Sequence, residues 1–295
     1  MKNITIIGSG TMGNGIAHSF AQYGYRVSLM DVSEQALQKA IATIDKNLDK
    51  QIKKGVINEQ QKAENLKNIT TYTNLKEAVA SADLVVEAAS ENTDIKLRIF
   101  KDLDALCQPQ TILASNTSSI AISLIASVTK REDRVIGMHF MNPVPMMKLV
   151  EIINGKKTDK AVTESIVDLS KKLEKIPVVV NDFPGFIANR ILMPMINEAI
   201  YSLHEGVSGV AEIDTIMKLG MAHPMGPLQL ADFIGLDVCL SIMKVLHEGF
   251  KDDKYTPCPL LVNMVKENRL GVKSGEGFYQ YSPGNKDLVV ASAFQ

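Results

Sequence analysis

Five histidines are the side chains of this sequence best suited to moving a proton near neutral pH. They are His18, His139, His204, His223 and His247. Four of them lie in helix-like patterns or in a loop before a helix, where we expect structural or solvated positions. The exception is His139, at the end of a predicted sheet strand, where open α/β sheets bind their ligands. His139 is therefore the candidate general acid and base.

Glu151 offers this histidine a carboxylate partner. Two strand-like runs, residues 134–140 and 149–153, are joined by a turn that contains Pro143 and Pro145. A hairpin-like path would return the carboxylate to the imidazole, where it would fix the ring tautomer and stabilise the charged ring. A surface glutamate at the start of a strand is the alternative.

Residues 8–13 read Gly-Ser-Gly-Thr-Met-Gly, a GxGxxG pattern between a predicted strand and a predicted helix. Gly8 permits a tight turn, Gly10 lets the backbone approach a pyrophosphate, and Gly13 allows the helix to pack closely on the strand. The N–H groups at the start of the helix, at Thr11 and Met12, would face the phosphates. The pattern predicts a dinucleotide site.

Asp31 stands at the end of the next predicted strand. A carboxylate there accepts hydrogen bonds from the adenosine ribose and would repel the 2′-phosphate of NADP. No arginine follows immediately, because the next residues are Val32 and Ser33. We therefore predict NAD(H) as the cofactor, with a simple strand-end cap as the alternative for Asp31.

The elements that position these residues fall into two regions. Strand-like and helix-like runs alternate up to about residue 180, which predicts a Rossmann-like, doubly wound, mostly parallel sheet. Helical periodicity then dominates over residues 186–205, 211–219, 228–250 and 259–268. We predict an α/β NAD-binding domain over residues 1–183 and an all-α C-terminal domain over residues 184–295.

Three polar clusters follow strands of the predicted sheet. They are residues 87–91, 115–119 and 139–142. Because the carboxyl ends of parallel strands meet at one edge of a sheet, we expect these clusters to converge on one cleft.

Charge and composition exclude several classes of protein. The 295 residues carry a formal net charge of −1, so neither nucleic acid nor an acidic membrane is an expected partner. No apolar run approaches the roughly 20 residues that span a bilayer. Three cysteines, far apart and odd in number, predict neither a disulfide framework nor a zinc site, and no metal is expected. These features predict a cytoplasmic protein.

Several longer motifs resemble the signature segments of the 3-hydroxyacyl-CoA dehydrogenase family. They are Ala-Ser-Asn-Thr-Ser-Ser at 114–119, Gly-Met-His-Phe-Met-Asn-Pro-Val-Pro at 137–145, Phe-Pro-Gly-Phe-Ile-Ala-Asn-Arg at 183–190 and Gly-Glu-Gly-Phe-Tyr at 275–279. The resemblance spans essentially the whole chain, and the chain length resembles that of short bacterial members. It implies hydride transfer between NAD(H) and carbon 3 of a short 3-hydroxyacyl-CoA, with the (S)-alcohol as substrate, in fatty acid or butyrate metabolism.

The resemblance also implies roles for individual residues. His139 matches the catalytic histidine and Glu151 its acidic partner. Ser118 matches a contact to the substrate oxygen and the nicotinamide, and Asn189 a substrate-positioning residue of the second domain. Further matches are cofactor contacts at Asn142, Glu91, Lys96 and Lys273, and CoA contacts at Asn47 and Lys54.

Other interpretations of the same residues stay open. A lysine-rich helix face is commonly only solvated, and Ser118 could cap a helix. A dehydrogenase of a free hydroxy acid or sugar acid would keep the same scaffold. An inactive, crystallin-like relative would keep the fold without turnover. The resemblance further implies a homodimer or higher symmetric oligomer that pairs through the helical region, which is also expected to help form the substrate cleft.

Overall fold

A computed structural model describes residues 1–282, 284 and 287–295. The chain divides into two compact units, Met1–Phe183 and Pro184–Gln295. None of the helices within these described residues is long and apolar enough to cross a membrane.

An eight-stranded sheet forms the centre of the first unit. Its strands in chain order are β1 (Asn3–Ile7), β2 (Arg26–Met30), β3 (Ile69–Tyr72), β4 (Leu84–Glu87), β5 (Ile112–Ser115), β6 (Val135–Phe140), β7 (Leu149–Asn154) and β8 (Ile176–Asn181). They lie in the order β3-β2-β1-β4-β5-β6-β7-β8, and every neighbouring pair is parallel except β6 and β7. This arrangement, followed by a helical unit, confirms the predicted fold class.

Seven helices accompany the sheet in the described part of this unit. They are α1 (Thr11–Gln22), α2 (Glu34–Lys53), α3 (Glu59–Lys67), α4 (Leu75–Val79), α5 (Thr93–Leu106), α6 (Ile122–Ala126) and α7 (Lys160–Lys172). Side-chain caps define where many of them begin, because Ser33, Asn58, Asn92 and Asp159 each accept a hydrogen bond from a first-turn N–H group.

The long helix α2 shows how sequence pattern becomes packing. Its buried residues Leu37, Ala40, Ile44 and Leu48 recur every three or four positions and so form one apolar stripe. They join the strand side chains in the core of the first unit. The opposite, charged face of the helix stays available to solvent and ligands.

Within the first unit, one strand and two short α-helices are not among the elements that the sequence predicts. They are strand β3 and the two five-residue helices α4 and α6. In β3 the two central residues are exposed and both ends are only half-buried, so the strand lacks the alternation that marks a half-buried strand. It lies at the edge of the sheet and pairs with β2 on one side.

In the part that the structure describes, the second unit consists of helices and one small hairpin. The helices are α8 (Ala188–His204), α9 (Val210–Gly220), α10 (Pro227–Ile234), α11 (Leu236–Phe250) and α12 (Pro259–Lys266), and the hairpin pairs β9 (Tyr279–Gln280) with β10 (Val289–Val290). The sequence pattern had suggested one continuous helix over residues 228–250. The structure interrupts it at Gly235, whose φ of 101° is incompatible with an α-helix and favours glycine.

Two buried carboxylates organise the end of the second unit. Asp232 accepts hydrogen bonds from the backbone N–H groups of Phe278 and Tyr279, and Asp214 accepts one from the Tyr279 hydroxyl. A side chain at Gly277 would collide with Asp232, since its Cβ would lie 1.9 Å from the carboxylate. Burial raises the pKa of Asp232 to about 6, against the effect of these hydrogen bonds. The Gly-Glu-Gly-Phe-Tyr motif thus has a structural role, because its backbone is bonded to the buried carboxylate of Asp232.

We predict that His18 makes folding of the first unit sensitive to acid. Its side chain is 1% exposed on α1, and neither ring nitrogen has a hydrogen-bond partner among the described residues. Burial, helped by the charge of Lys175, lowers its pKa from 6.5 to about 4. Because the unfolded chain then binds a proton that the folded chain refuses, stability is lost as the pH falls below 6.5. The loss should reach about 2 kcal/mol at pH 5.

The test is urea unfolding of the wild type and His18→Leu at pH 7 and pH 5. It should be followed by circular dichroism, because the chain has no tryptophan. His18→Leu should lose the extra acid sensitivity, while His204→Leu at an exposed position should keep it. Equal pH dependence of the wild type and His18→Leu would refute the prediction.

Candidate active site

The imidazole of His139 lies between a carboxylate and a hydroxyl near the carboxyl end of β6. Strands β6 and β7 pair antiparallel with His139 directly opposite Glu151, so the two side chains share one face of the sheet. Nδ1 of His139 lies 2.9 Å from Oε2 of Glu151, and both side chains are buried. Since a carboxylate only accepts, Nδ1 carries the hydrogen, and in the neutral ring Nε2 keeps its lone pair.

Ser118 approaches that second nitrogen from the loop after β5. Its Oγ is 3.1 Å from Nε2 of His139. Asn116, two residues earlier in the same loop, accepts a hydrogen bond at 2.9 Å from the backbone N–H of Phe140. The amide of Asn116 therefore ties the end of β5 to the end of β6 and sets the spacing between the serine and the histidine.

The structure brings the three polar clusters together. Glu87, at the end of β4, accepts a hydrogen bond from Ser115 at 2.7 Å. Glu91 accepts hydrogen bonds from the backbone of Ser118 and the hydroxyl of Thr117. Together with the contact of Ser118 to the histidine, these bonds link the carboxyl ends of β4, β5 and β6 into one polar surface.

The glycine turn packs tightly at one glycine and is open at another. A Cβ added at Gly13 would lie 1.8 Å from the carbonyl oxygen of Gly8, so only glycine permits the close packing of α1 on this turn. A Cβ added at Gly10 would meet nothing within 4 Å. The surface at Gly10 is therefore open, and a phosphate could approach its backbone and the free N–H groups at the start of α1.

Beside this turn lies a cleft of about 790 Å³. Its wall includes Gly8, Gly10, Thr11, Met12 and Asp31. Apolar side chains of Val32, Leu75, Ile95 and Ile99 complete much of the lining. A largely apolar cleft that also presents the glycine N–H groups and the carboxylate of Asp31 suits an adenine, a ribose and a pyrophosphate.

Asp31 is held in place by its neighbours. Its Oδ2 accepts two hydrogen bonds of 2.8 Å from Ser9, one from the backbone and one from the hydroxyl, and its Oδ1 accepts one from the backbone of Ser33. Burial opposes its ionisation, but these bonds hold the pKa of Asp31 below its ordinary value. The group is therefore a fixed anion near neutral pH, which is suited to accept hydrogen bonds and repel a phosphate.

A second cleft of about 420 Å³ runs between α1, α2 and the loop after β6. Asn47 and Asn142, both predicted contacts, lie in its wall together with Lys39 and Thr43. Lys54 is exposed just after the end of α2, seven residues beyond Asn47 and hence on a similar face of the helix.

The remaining predicted residues have different surroundings. Lys96 is 1% exposed, and its ammonium group bonds both oxygens of Glu87 at 2.7 and 2.9 Å. Asn189 is buried in the first turn of α8, in the second unit. Lys273, also in the second unit, forms an ion pair with Asp237.

Sequence reasoning gave no role to three residues that organise the site. Glu87 ends a fully buried strand, and a charged residue in such a strand is itself a signal of a buried partner. Asn116 and Ser9 lay inside motifs already recognised, but their hydrogen bonds to Phe140 and Asp31 depend on tertiary contacts that no spacing reveals.

The parallel sheet, the glycine turn and the fixed carboxylate define the first unit as a dinucleotide-binding domain. Residues 3–183 match the family description "3-hydroxyacyl-CoA dehydrogenase, NAD binding domain", and residues 185–281 match "3-hydroxyacyl-CoA dehydrogenase, C-terminal domain". The chain belongs to the 3-hydroxyacyl-CoA dehydrogenase family. It is thus an oxidoreductase, and NAD(H) is confirmed as its cofactor.

Relatives with similar length support this assignment. A protein of Bacillus subtilis (strain 168) named probable 3-hydroxybutyryl-CoA dehydrogenase is 52% identical, over 95% of this chain and 98% of its own. The 3-hydroxybutyryl-CoA dehydrogenase of Bradyrhizobium diazoefficiens is 53% identical, with 95% and 96% covered. The crystal structure of (S)-3-hydroxybutyryl-CoA dehydrogenase from Ralstonia eutropha is 48% identical and superimposes with a TM-score of 0.93, covering 96% of this chain and 99% of that one.

Two substitutions in the glycine turn should separate folding from cofactor binding. Gly13→Ala should lower the free energy of unfolding by at least about 2 kcal/mol, because the new methyl group overlaps the Gly8 carbonyl. Gly10→Ala should leave the free energy of unfolding unchanged but weaken NADH binding, because its methyl group enters the open phosphate cradle. Urea unfolding and NADH titration measure the two effects. Equal loss of stability in both variants would contradict this division.

Proposed function

We propose that this protein is an NAD-dependent 3-hydroxybutyryl-CoA dehydrogenase that interconverts (S)-3-hydroxybutyryl-CoA and acetoacetyl-CoA. The observation that carries the proposal is the imidazole of His139, bonded through Nδ1 to Glu151 and through Nε2 to Ser118. The names of the most similar relatives support the substrate.

His139 is proposed to act as the general base in oxidation and the general acid in reduction. Its Nε2 takes the proton of the 3-hydroxyl group as the alcohol is oxidised, and returns it to the ketone oxygen in the reverse direction. Bound NAD⁺ supplies the hydride acceptor for carbon 3. Glu151 keeps the ring tautomer fixed and stabilises the imidazolium that forms.

Ser118 and Asn189 are proposed to orient the substrate. The hydroxyl of Ser118 already lies beside the reactive nitrogen of His139, where it can also hydrogen-bond the substrate oxygen. Asn189 is assigned to the same task by the family resemblance. Its amide offers both donors and an acceptor.

For the cofactor, the proposed contacts follow the glycine cradle. Gly8, Gly10 and Gly13 shape it, with the N–H groups at Thr11 and Met12 directed to the pyrophosphate and Asp31 to the ribose. Asn142 is the proposed nicotinamide contact. Glu91, Lys96 and Lys273 remain predicted cofactor contacts from the resemblance. Lys96 is buried and paired with Glu87, so its side chain can contact a cofactor only where the cofactor comes directly against it.

The CoA portion of the substrate is proposed to follow the second cleft along α2. Asn47 lies in the wall of this cleft, and Lys54 lies beyond it with an exposed ammonium group that suits a phosphate. The helix supplies both side chains on similar faces, because seven residues make about two turns.

The decisive experiment compares acetoacetyl-CoA with free acetoacetate, and NADH with NADPH, by the absorbance of the reduced nucleotide. Rapid oxidation of NADH with the thioester alone would support reaction, cofactor and carrier together. Turnover of the free acid without the thioester would move the protein to the free hydroxy-acid alternative and make the CoA contacts wrong. No turnover of either substrate would favour an inactive relative.

Replacement of the proposed base should abolish most turnover while leaving the cofactor site intact. His139→Gln should lower kcat by roughly 10²- to 10⁴-fold, the contribution of general acid–base catalysis, with little change in the Kd of NADH. Glu151→Gln should also lower kcat by orders of magnitude, because an amide neither fixes the ring tautomer nor stabilises the imidazolium. Full activity of His139→Gln would reject the role.

We also propose that the protein forms a homodimer or a higher symmetric oligomer through its helical unit. Ile216 and Leu219, three residues apart on α9, are 58% and 82% exposed, and Met221 just beyond is 61% exposed. Water-exposed apolar side chains on one helical face are typical of an interface.

Leu219→Glu should therefore shift the protein towards the monomer, because a buried charge at the interface is costly. Light scattering at micromolar concentration measures the mass. Val56→Glu is the matched control, since Val56 is 62% exposed in the first unit. A wild type that is already monomeric would overturn the proposal.

A cytoplasmic location is the remaining part of the proposal. Its support is the set of three cysteines, Cys107, Cys239 and Cys258, all of which are free and buried. Thiols that stay unpaired suit a reducing compartment. Fractionation of cells that produce the protein tests the location.

A further inference from the structure

Glu91 receives more hydrogen bonds than a side chain directed at a cofactor would need. Its Oε1 accepts four, from the hydroxyl of Thr117 at 2.7 Å, from the backbone and hydroxyl of Ser119 at 3.1 and 2.8 Å, and from the backbone of Ser118 at 2.9 Å. Four donors from three consecutive residues converge on one carboxylate oxygen. The loop after β5 is therefore folded around Glu91.

Lys96 and Glu87 form a buried ion pair next to the Glu91 carboxylate. The ammonium of Lys96 lies 3.4 Å from Oε2 of Glu91 and 2.7 Å from Glu87, whose side chain is fully buried. Glu87 also accepts hydrogen bonds from Ser115 and from the backbone of Ala89, each at 2.7 Å. Glu87, at the end of β4, thus holds the ammonium group of Lys96 in place. The positive charge of Lys96 then attracts the carboxylate of Glu91.

The charges in the cluster of Glu87, Glu91 and Lys96 are balanced by the ammonium group and by hydrogen-bond donors. One ammonium faces two carboxylates, and the second carboxylate is stabilised by donors from the loop. Burial opposes the ionisation of Glu91, yet the charge of Lys96 and these donors hold its pKa below the ordinary value. Glu91 is therefore an anion under assay conditions. Charge-assisted bonds of this kind are roughly twice as strong as neutral ones.

We propose that Glu91 is a positioning residue: anchored through Lys96 to Glu87, it fixes the loop that presents Ser118 to Nε2 of His139. This inference rests on the proposed dehydrogenase function and deepens it. It gives Glu91 a role distinct from the cofactor contact that the family resemblance implies. The bonds of Glu91 to the backbone N–H of Ser118 and to both neighbouring residues help hold the loop in the conformation that places the Ser118 hydroxyl beside the histidine.

The test uses Glu91→Ala, Glu91→Gln and Ser118→Ala in the full-length protein. Glu91→Ala removes all four acceptor contacts, and a serine displaced by about an ångström should lower kcat on the order of 100-fold. Glu91→Gln keeps an oxygen acceptor for the loop, so its loss should stay within about tenfold. In both variants the loss of kcat should exceed any rise in the Kd of NADH. Glu77→Ala, an exposed acid on α4, is the matched control.

A double-mutant cycle decides whether Glu91 acts through Ser118. If it does, Glu91→Ala should lower kcat little further in a protein that already carries Ser118→Ala. Multiplicative losses, or a raised Kd of NADH with unchanged kcat, would overturn the positioning role. Circular dichroism checks that each variant folds. Should Glu91→Ala fail to fold, the cycle is run with Glu91→Gln.

A second readout does not depend on turnover. It is the NMR resonance of the Nε2 nitrogen of His139, which reports the contact with Ser118 directly. The resonance is assigned by its disappearance in His139→Gln. Glu91→Ala and Ser118→Ala should shift this resonance in the same way, and an unchanged resonance in Glu91→Ala would overturn the inference. A wild type inactive with acetoacetyl-CoA would instead defeat the proposed function, while the resonance would still judge the role of Glu91.

Discussion

The antiparallel pairing of β6 with β7 is the constraint on which the polar site depends. In an otherwise parallel sheet, this one reversed pair places His139 and Glu151 directly opposite each other. Opposed residues share a face, and a shift of register by one residue would send the carboxylate to the other face. The hydrogen bond from imidazole to carboxylate is therefore fixed by backbone pairing, and buried side chains on both strands oppose any slip.

The parallel part of the sheet has a different effect. It brings loops that are distant in sequence together at the carboxyl ends of the strands. The ends of β4, β5 and β6 lie side by side, and their polar residues bond to one another. Such groups are costly to bury unless their bonds are satisfied. Lys96 and Glu87 meet this condition together, since removal of either would leave the other as an unpaired charge in the interior.

Much of the fold was predictable because its signals are local. The GxGxxG turn, the amphipathic stripe of α2 and the alternation of strands and helices each depend on a few neighbouring residues. The loss of β3 from the prediction has a physical reason, since a half-exposed edge strand lacks the apolar pattern that marks buried strands. The break at Gly235 was hidden within a helical periodicity that continues on both sides, and only a positive φ reveals it.

The candidate site was predictable in its members and less so in its connections. His139 and Glu151 follow from strand ends and a turn, but the bond from Asn116 to Phe140 and the four bonds to Glu91 join residues 24 to 28 positions apart. Side-chain types show what a residue can donate or accept, whereas tertiary packing decides with whom. A glutamate that the sequence predicts as a ligand contact can thus have one of its carboxylate oxygens bonded by the protein itself. In the candidate site, the residues proposed for catalysis and the residues that hold them in place are drawn from the same polar clusters, so sequence alone does not separate the two roles.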